Sequence, residues 1–363
     1  MSNTANRDAL LKLSSLLRPA LSTQTYIPAY QHIRFAGGQA LAFNDVTAIT
    51  IRTALDLEAC VPGELMIKAL SSFNADEVLL QQDVKNGVMV LVSGRARVKM
   101  PTMAVKDFPF DNPDDGSAYS LNFTDAMLTG VEACLFNVGK DPTHGAQMGV
   151  TLDTVDGAAA LYSTDNFTIS RFRTTTKLKM PGDAPVILPT FFCEQLIELA
   201  GHFKDQDITL EIAPNYLRAT FGKQASLLTK AVNDLEPLDF PSVLGRLVDF
   251  KTLDRFLVDI PNGFDSAWDR ALLVMTGTAD KVSRVRLENN KLMIDSESSM
   301  GEAHDELSIK DADGEHSDFY IDPSFVVRAA SKCANMAFCP RGLVLTSETG
   351  AFTHFITHSF SRK

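Results

Sequence analysis

The sequence predicts an α+β protein built from three domains of similar plan. A chain of 363 residues is too long for one ordinary hydrophobic core, so two or three domains are expected. The order helix, strands, helix, strands also recurs three times along the chain, and internal repetition of this kind indicates repeated structural units.

The longest repeated segment begins with a proline, continues with apolar residues at helical spacing and ends in two alternating strands. Proline is favoured in the first turn of a helix, where its missing N–H would have no partner. The three copies span 61–94, 187–222 and 320–350, and their helices are predicted to begin at Pro62, Pro189 and Pro323.

Hairpins are predicted where a short polar turn separates two alternating apolar runs. The segments "LAFNDVTAIT" (41–50) and "LYSTDNFTIS" (161–170) share this pattern, with turns at Asn44-Asp45 and Thr164-Asp165. "SRVRLENNKLMIDS" (283–296) has Asn289-Asn290 at its turn, a residue pair that suits a tight hairpin.

A helix of about 12 residues is predicted to open each third, within 7–21, 123–138 and 264–277. A Pro/Gly/Asp-rich linker at 110–118 and a second boundary near 241–249 separate the thirds. The predicted domains are therefore 1–113, 114–245 and 246–363.

The composition is that of an ordinary globular protein, with 45% hydrophobic and 22% charged residues. No apolar run approaches the roughly 20 residues that cross a bilayer, and the N-terminus lacks signal-peptide order, so a cytoplasmic protein is expected. The net charge of −11 argues against a surface covered with nucleic-acid contacts, although it permits a local basic face.

No motif for catalysis, metal or cofactor binding is recognised. GxSxG, Walker and Rossmann sequences are absent, and the five cysteines lack CxxC spacing. His354 and His358 lie in a segment that alternates like a strand, which would hold them about 13 Å apart. Cys193 and His202 stand about 14 Å apart along one predicted helix, and 311–316 indicates a hairpin turn rather than a calcium loop. We expect neither a catalytic residue nor a cofactor.

The layout resembles the bacterial and phage DNA sliding clamps, the β subunit family of DNA polymerase III. The resemblance runs through most of the chain and depends on the order of five segments, 93–110, 163–171, 235–244, 320–331 and 349–360. It implies three clamp domains in a head-to-tail homodimeric ring, with helices lining the hole and antiparallel sheets outside. Such a ring encircles duplex DNA, is opened by a clamp loader and tethers the replicative polymerase.

The resemblance also implies basic side chains on the lining helices, which contact phosphates without reading bases. The candidates are Lys12 and Arg18 on the first helix, Lys68 on the second, Lys140 at the end of the third, Lys204 after the fourth, Arg270 on the fifth, and Arg328 and Lys332 on the sixth. The alternative is that each is an ordinary solvated charge on a helix face.

A second implied site is an apolar pocket that takes a short linear peptide from polymerases and the clamp loader. Carried over by position, it comprises Thr164, Phe167, Ile169, Leu238, Ser242, Val243, Phe325, Ser359 and Phe360. The chain departs from the family pattern here. Asn166-Phe167 replaces a Gly-His pair, Ser242 replaces an arginine, and the ending is "THSFSRK". The alternative is that Phe167, Ile169 and Val243 are ordinary core residues.

The sequence thus predicts a DNA sliding clamp, a processivity factor without enzymatic activity. Two alternatives come from other classes, a hydrolase with an unrecognised site and a β-rich oligomeric structural protein. Threefold repetition without paired catalytic residues disfavours the first, and recurring Lys/Arg on the predicted helices disfavours the second.

Overall fold

The computed structural model describes residues 2–23, 26–113, 116, 118–141, 147–180, 184–231, 237–250, 252–253, 256–278, 281–310 and 317–358. The chain divides into two compact units. Unit 1 consists of Met1–Thr124 with Glu194–Asn233, and unit 2 of Asp125–Cys193 with Asp234–Lys363. The middle third contributes to both units, and the three-domain boundaries stay a prediction. No helix within the described ranges is long and apolar enough to cross a bilayer.

Seven α-helices lie in the described residues. They are α1 Arg7–Leu17, α2 Gly63–Ser72, α3 Asp125–Leu135, α4 Thr190–His202, α5 Phe240–Leu247, α6 Phe264–Val274 and α7 Pro323–Ala330. The six predicted helices are confirmed. Pro62 caps α2, Pro189 directly precedes α4, and Pro323 is the first residue of α7, as the proline pattern predicts.

The strands pair antiparallel throughout. They are β1 Ser2–Asn6, β2 His32–Ala36, β3 Gln39–Phe43, β4 Thr47–Arg52, β5 Ala59–Pro62, β6 Glu77–Asp83, β7 Val88–Ser93, β8 Ala96–Pro101, β9 Tyr119–Asn122, β10 Gly149–Val155, β11 Ala158–Thr164, β12 Thr168–Lys177, β13 Val186–Pro189, β14 Ile208–Ile212, β15 Tyr216–Phe221, β16 Ala225–Lys230, β17 Val258–Asp259, β18 Ser283–Glu288, β19 Lys291–Ser298, β20 Gly301–Ser308, β21 Ser317–Ile321, β22 Asn335–Cys339, β23 Gly342–Thr346 and β24 Phe352–Thr357.

Unit 1 contains an eight-stranded sheet in the order β5-β2-β3-β4-β16-β15-β14-β9 and a four-stranded sheet in the order β1-β6-β7-β8. The larger sheet is continuous because β4 pairs with β16, with Thr50 opposite Ser226. Helices α1 and α2 pack together, and Leu17 and Leu70 are fully buried. Burial of such side chains is the main force that holds the unit together.

Unit 2 repeats this plan. Its eight-stranded sheet has the order β13-β10-β11-β12-β24-β23-β22-β17, and its four-stranded sheet the order β20-β19-β18-β21. The larger sheet is joined by β12 and β24, with Ser170 opposite His354. Helices α6 and α7 pack together, and Trp268 is fully buried in a core that includes Ile294 and Val326.

The hairpin predictions are confirmed. Asn289 and Asn290 have φ of 51° and 61° between β18 and β19, a conformation that asparagine tolerates better than most residues. The 41–50 and 161–170 segments form the β3–β4 and β11–β12 hairpins. In the second, the residue at positive φ is Asn166, one position beyond the predicted turn pair.

Helix α5 differs from the sequence-based prediction, which places a domain boundary in this segment. The Asp239 carboxylate accepts a hydrogen bond from the Ser242 amide at 3.0 Å and caps the helix, while a proline occupies its first turn. Phe240 and Leu244 are buried one helical turn apart. Eight residues give too few turns for the apolar spacing to stand out from a linker.

Candidate peptide groove and nucleic-acid interface

The β11–β12 turn presents the first predicted pocket residues. Asp165 Oδ1 accepts hydrogen bonds from the backbone amides of Phe167 at 3.2 Å and Thr168 at 2.9 Å, closing a turn around Asn166. Thr164 Oγ1 donates to the Thr168 carbonyl at 2.7 Å. A side chain that mimics a backbone turn is a frequent role of aspartate, and it fixes the path of the chain here.

Two further segments brace the same turn. Thr168 Oγ1 donates to Asn137 Oδ1 at 2.5 Å, and buried Asn137 donates in turn to the Ser163 carbonyl at 3.3 Å. The Gln147 amide donates to Asn166 Oδ1. Hydrogen bonds that link several elements restrict motion at the place where they meet.

Phe167 lies exposed on this braced turn. Its side chain is 59% exposed, and its ring stacks on Phe325 of α7 with centroids 5.6 Å apart and an interplanar angle of 19°. A large aromatic side chain that is both exposed and held in place is typical of the anchor points of interfaces. The alternative that Phe167 is a core residue is therefore excluded by its exposure.

Helix α5 and the residues before it supply further predicted pocket residues. Leu238 is 38% exposed, whereas Val243 is half-buried against the apolar cluster that contains Ile169. Ser242 Oγ accepts a hydrogen bond from Arg246 at 3.3 Å. Ile169 is 8% exposed, so its role in that cluster is mainly that of a core residue.

The α5 segment is seated on the large sheet of unit 2 by ring contacts. Tyr162 of β11 stacks on Phe240 with centroids 5.0 Å apart, and the Arg171 guanidinium lies 3.9 Å from the centroid of the Phe250 ring. Arg171 also donates to Thr353 Oγ1 at 3.2 Å, and burial lowers the pKa of Arg171 to about 10. A cation stacked on a ring in a partly desolvated place is a stabilising contact.

The two histidines considered for metal binding lie on or after a strand, as predicted. His354 is completely buried in β24, and its Nδ1 lies 2.9 Å from Ser170 Oγ. Burial lowers the pKa of His354 to about 3, so this imidazole is neutral at physiological pH. His358 follows the strand, and its Nε2 lies 2.9 Å from the Pro340 carbonyl.

The described part of the chain thus brings seven of the nine predicted pocket residues into unit 2, on the β11–β12 turn, β12, the α5 segment and α7. Ser359 and Phe360 lie outside the described residues.

The predicted lining lysines are exposed. Lys12 and Lys68 lie on α1 and α2, and none of the lysines Lys12, Lys68, Lys140 and Lys204 forms an ion pair within the described residues. Lys140 lies five residues beyond the end of α3 rather than at the helix end, because α3 stops at Leu135. Lys204 follows α4, as predicted.

Each of the predicted lining arginines is paired within the chain. Arg18 Nε lies 2.6 Å from Glu64, Arg270 Nη2 lies 2.5 Å from Asp305, and Arg328 Nη2 lies 2.7 Å from Asp165. Arg18 itself begins a 3₁₀ turn, because the following proline has no N–H with which to extend α1. A guanidinium that is already paired with a carboxylate attracts a phosphate less strongly than a free one.

Lys332 lies beyond α7, which ends at Ala330, so the prediction that it shares this helix with Arg328 is wrong. The Lys332 amide donates to the Ala329 carbonyl in the turn that follows. Its ammonium lies 4.4 Å from the centroid of the Phe136 ring, and burial lowers the pKa of Lys332.

The exposed faces of α3 and α4 differ in charge from the expected basic lining. Their exposed charged residues are carboxylates, Asp125 and Glu132 on α3, and Glu194 and Glu198 on α4. At the end of α4, burial and the positive charge of Lys12 lower the pKa of His202, which indicates that α1 and this end of α4 lie close together in unit 1.

Sequence reasoning missed the roles of Asp165, Arg171 and α5. For α5 the available signal is Asp239 followed two residues later by a proline, a pair typical of a helix start. For the site, Arg328 within the mainly apolar segment of α7 is a signal. An arginine in such a place needs a partner, although the sequence does not identify it.

The fold matches solved structures over nearly its whole length. The DNA polymerase III subunit beta of Pseudomonas aeruginosa, bound to griselimycin, covers 99% of this chain with a TM-score of 0.85 at 17% identity, and all of that chain is covered. The beta subunit from Streptococcus pyogenes gives the same TM-score and coverage at 16% identity. The fold is that of a bacterial sliding clamp.

A sequence relative agrees with this fold. The beta sliding clamp of Caulobacter vibrioides is 25% identical over 311 residues, which is 79% of this chain and 78% of the relative. No family model matches the chain. The clamp fold accounts for the repeated α+β plan that the sequence predicts.

Proposed function

We propose that this chain is a DNA sliding clamp, a processivity factor that encircles duplex DNA as a homodimer and tethers a replicative polymerase. The observation that carries the proposal is the whole-chain fold similarity to bacterial sliding clamps, supported by an independent sequence relative. The proposed function is topological, so it requires neither a catalytic residue nor a cofactor. We propose a cytoplasmic location, because a bacterial replicative polymerase and its DNA are in the cytoplasm.

We propose that exposed lysines contact the DNA phosphates and that binding is independent of the base sequence. Lys12, Lys68, Lys140 and Lys204 are exposed ammonium groups without ion pairs in the described residues, so they can approach phosphates freely. The arginines Arg18 and Arg270 and the lysine Lys332 contribute less, because a carboxylate or a ring already contacts each of them. Few and weak phosphate contacts suit a protein that must slide.

The groove between the β11–β12 turn, α7 and α5 is the proposed docking site for short peptides of the polymerase and the clamp loader. Exposed Phe167 stacked on Phe325 supplies one apolar anchor point, and Leu238, exposed before α5 in the same unit, supplies another. A linear peptide with apolar side chains fits such a surface.

For the homodimer we propose a head-to-tail contact between edge strands. Strand β8 is at the edge of its sheet and carries exposed Arg97 and Lys99. Edge strand β20 carries exposed Glu302, together with Glu306, which also pairs with Lys291 Nζ at 2.6 Å. Edge strands with unpaired backbone groups readily add a partner strand, and opposite charges select that partner.

An apolar patch next to β20 supports this contact. Leu273 near the end of α6 is 72% exposed and Met300 in the β19–β20 turn is 77% exposed. Ser298 Oγ donates to the Val274 carbonyl at 2.7 Å, which joins this turn to the helix end. Exposed apolar side chains grouped beside an unpaired edge mark an interaction surface.

Light scattering on a sizing column tests the homodimer. The expected mass is twice 39.7 kDa, and Leu273→Asp is expected to reduce it to 39.7 kDa because a buried carboxylate would destabilise the interface. Val84→Asp is the matched control, since Val84 is also exposed, at 71%, in the β6–β7 turn. A wild-type chain that stays monomeric at micromolar concentration would contradict the homodimer.

A further inference from the structure

Arg328 connects two parts of the candidate groove. Its Nη2 donates to Asp165 Oδ2 at 2.7 Å, its Nε donates to the Ser324 carbonyl at 3.3 Å, and its guanidinium carbon lies 5.1 Å from the Phe325 ring centroid. The side chains of Arg328 and Asp165 are only 35% and 14% exposed. The ion pair is therefore partly shielded from water, where charge-assisted hydrogen bonds are stronger.

The two oxygens of Asp165 have separate tasks. Oδ1 accepts from the backbone amides of the turn that presents Phe167, whereas Oδ2 accepts from Arg328 on the helix that presents Phe325. One carboxylate thus joins the supports of both rings of the stacked pair. The rings belong to elements more than 150 residues apart in sequence, and this link is a direct side-chain connection between those elements.

We propose that Arg328 is a positioning residue of the peptide groove rather than a DNA contact. By joining α7 to the β11–β12 turn through Asp165, it holds Phe167 and Phe325 in the stacked arrangement that a peptide meets. This inference rests on the proposed function of the groove. A groove whose anchor points are already ordered binds more tightly, because less freedom is lost on binding.

The same contacts indicate the chemistry of the peptide at this end of the groove. The charges of Arg328 and Asp165 neutralise each other, and the most exposed of the three side chains is the aromatic ring of Phe167. The peptide side chain that lies here is accordingly apolar or aromatic rather than charged.

The test uses the full chain and a fluorescein-labelled pentapeptide that contains one leucine and one phenylalanine, with fluorescence anisotropy as the readout. Arg328→Gln and Asp165→Asn are each expected to weaken peptide binding by about tenfold. Asparagine at 165 keeps the turn acceptor in Oδ1 and places an NH2 donor opposite the Arg328 guanidinium, so this variant keeps the turn and breaks the link to α7. The double variant is expected to bind no more weakly than either single variant, because all three lack the same link.

Two controls separate positioning from general stability and from DNA contact. Arg328→Lys keeps the charge and is expected to recover part of the affinity. Arg284→Gln breaks a comparable Arg–Asp pair, with Arg284 Nη2 2.6 Å from Asp318 on the other sheet of unit 2, and is expected to leave peptide binding unchanged. The salt dependence of DNA binding is expected to be the same for Arg328→Gln and the wild type.

The inference is overturned if Arg328→Gln binds the peptide as the wild type does. It is contradicted further if, for this variant, the slope of log K for DNA binding against log salt concentration falls by about one, as loss of a phosphate contact would cause. If the wild type itself binds no peptide, the groove assigned under the proposed function fails and this inference fails with it. Retention of the wild type on circular DNA would then still support the clamp itself.

Discussion

Phe167 and Val46 occupy corresponding positions in two hairpin turns, and their side chains are 59% and 51% exposed. The Val46 carbonyl accepts from the Lys230 amide, just as the Phe167 carbonyl accepts from the Thr357 amide. Asn44 Oδ1 closes the first turn by accepting from two backbone amides, the role that Asp165 has in the second. The repeat therefore supplies a natural control for the turn residues of the groove.

Phe167→Asp is expected to abolish binding of the leucine/phenylalanine peptide and to leave the dimer mass unchanged. The charged side chain removes an aromatic anchor, while the exposed position keeps the cost in stability small, about 0.5 kcal/mol or less. Val46→Asp in the corresponding turn is the control and should bind the peptide normally. Wild-type affinity of Phe167→Asp would show that this side chain is outside the groove.

Buried His354 is expected to make the protein less stable as the pH falls below about 6.5. Its folded pKa is depressed to about 3 from the ordinary 6.5, so between these values the unfolded chain binds a proton that the folded chain does not. The stability contributed by the neutral imidazole is present above the unfolded pKa and is lost as the pH falls. In urea unfolding between pH 7 and pH 5, His354→Gln should lose less stability than the wild type. Equal losses would contradict the buried neutral state.

At the scale of elements, α4 combines a buried apolar face with an exposed acidic one. Phe192, Leu196 and Leu199 are buried, whereas Glu194 and Glu198 face solvent four residues apart. In a protein proposed to surround DNA, carboxylates on a helix oppose phosphate contact. They would limit the affinity that the exposed lysines provide.

Replacing Glu194 and Glu198 with Gln is expected to raise the affinity for duplex DNA by about threefold or more at low salt, because two repulsive charges are lost. Fluorescence anisotropy with a labelled duplex measures this at several salt concentrations. The charge-matched control is Glu77→Gln with Glu348→Gln, which removes two exposed carboxylates from strand and turn positions. An equal gain in both double variants would mean that net charge alone, and not the face of α4, controls affinity.

Much of the fold could be predicted at this scale, since local signals are strong where they coincide with an element boundary. Pro62 and Pro323 mark helix starts, and the Asn289-Asn290 pair marks a hairpin. The candidate site is less predictable from the sequence than the fold. The sequence places Arg328 on a helix and so predicts a DNA contact, yet its partner Asp165 is 163 residues away in sequence. Pairings at such distances depend on tertiary packing, which periodicity does not encode.

For the whole molecule, the proposed function raises the question of how a chain with a net charge of −11 would stay on DNA. Electrostatic attraction alone would be weak, because an acidic protein is repelled by the phosphate backbone. Enclosure solves this difficulty, since a closed ring cannot leave a DNA circle regardless of affinity. The fold similarity to sliding clamps and the proposed edge-strand dimer both agree with such enclosure.

The most direct measurement is retention on circular DNA before and after linearisation. The protein is diluted to monomers, mixed with closed circular plasmid, concentrated so that rings can form around the DNA, and separated by gel filtration in about 0.5 M salt to screen phosphate contacts. Protein that encircles DNA is expected to elute with the circular plasmid and to be released once a restriction enzyme cuts it. Protein that never elutes with the circle, or that stays bound after cutting, would contradict encirclement.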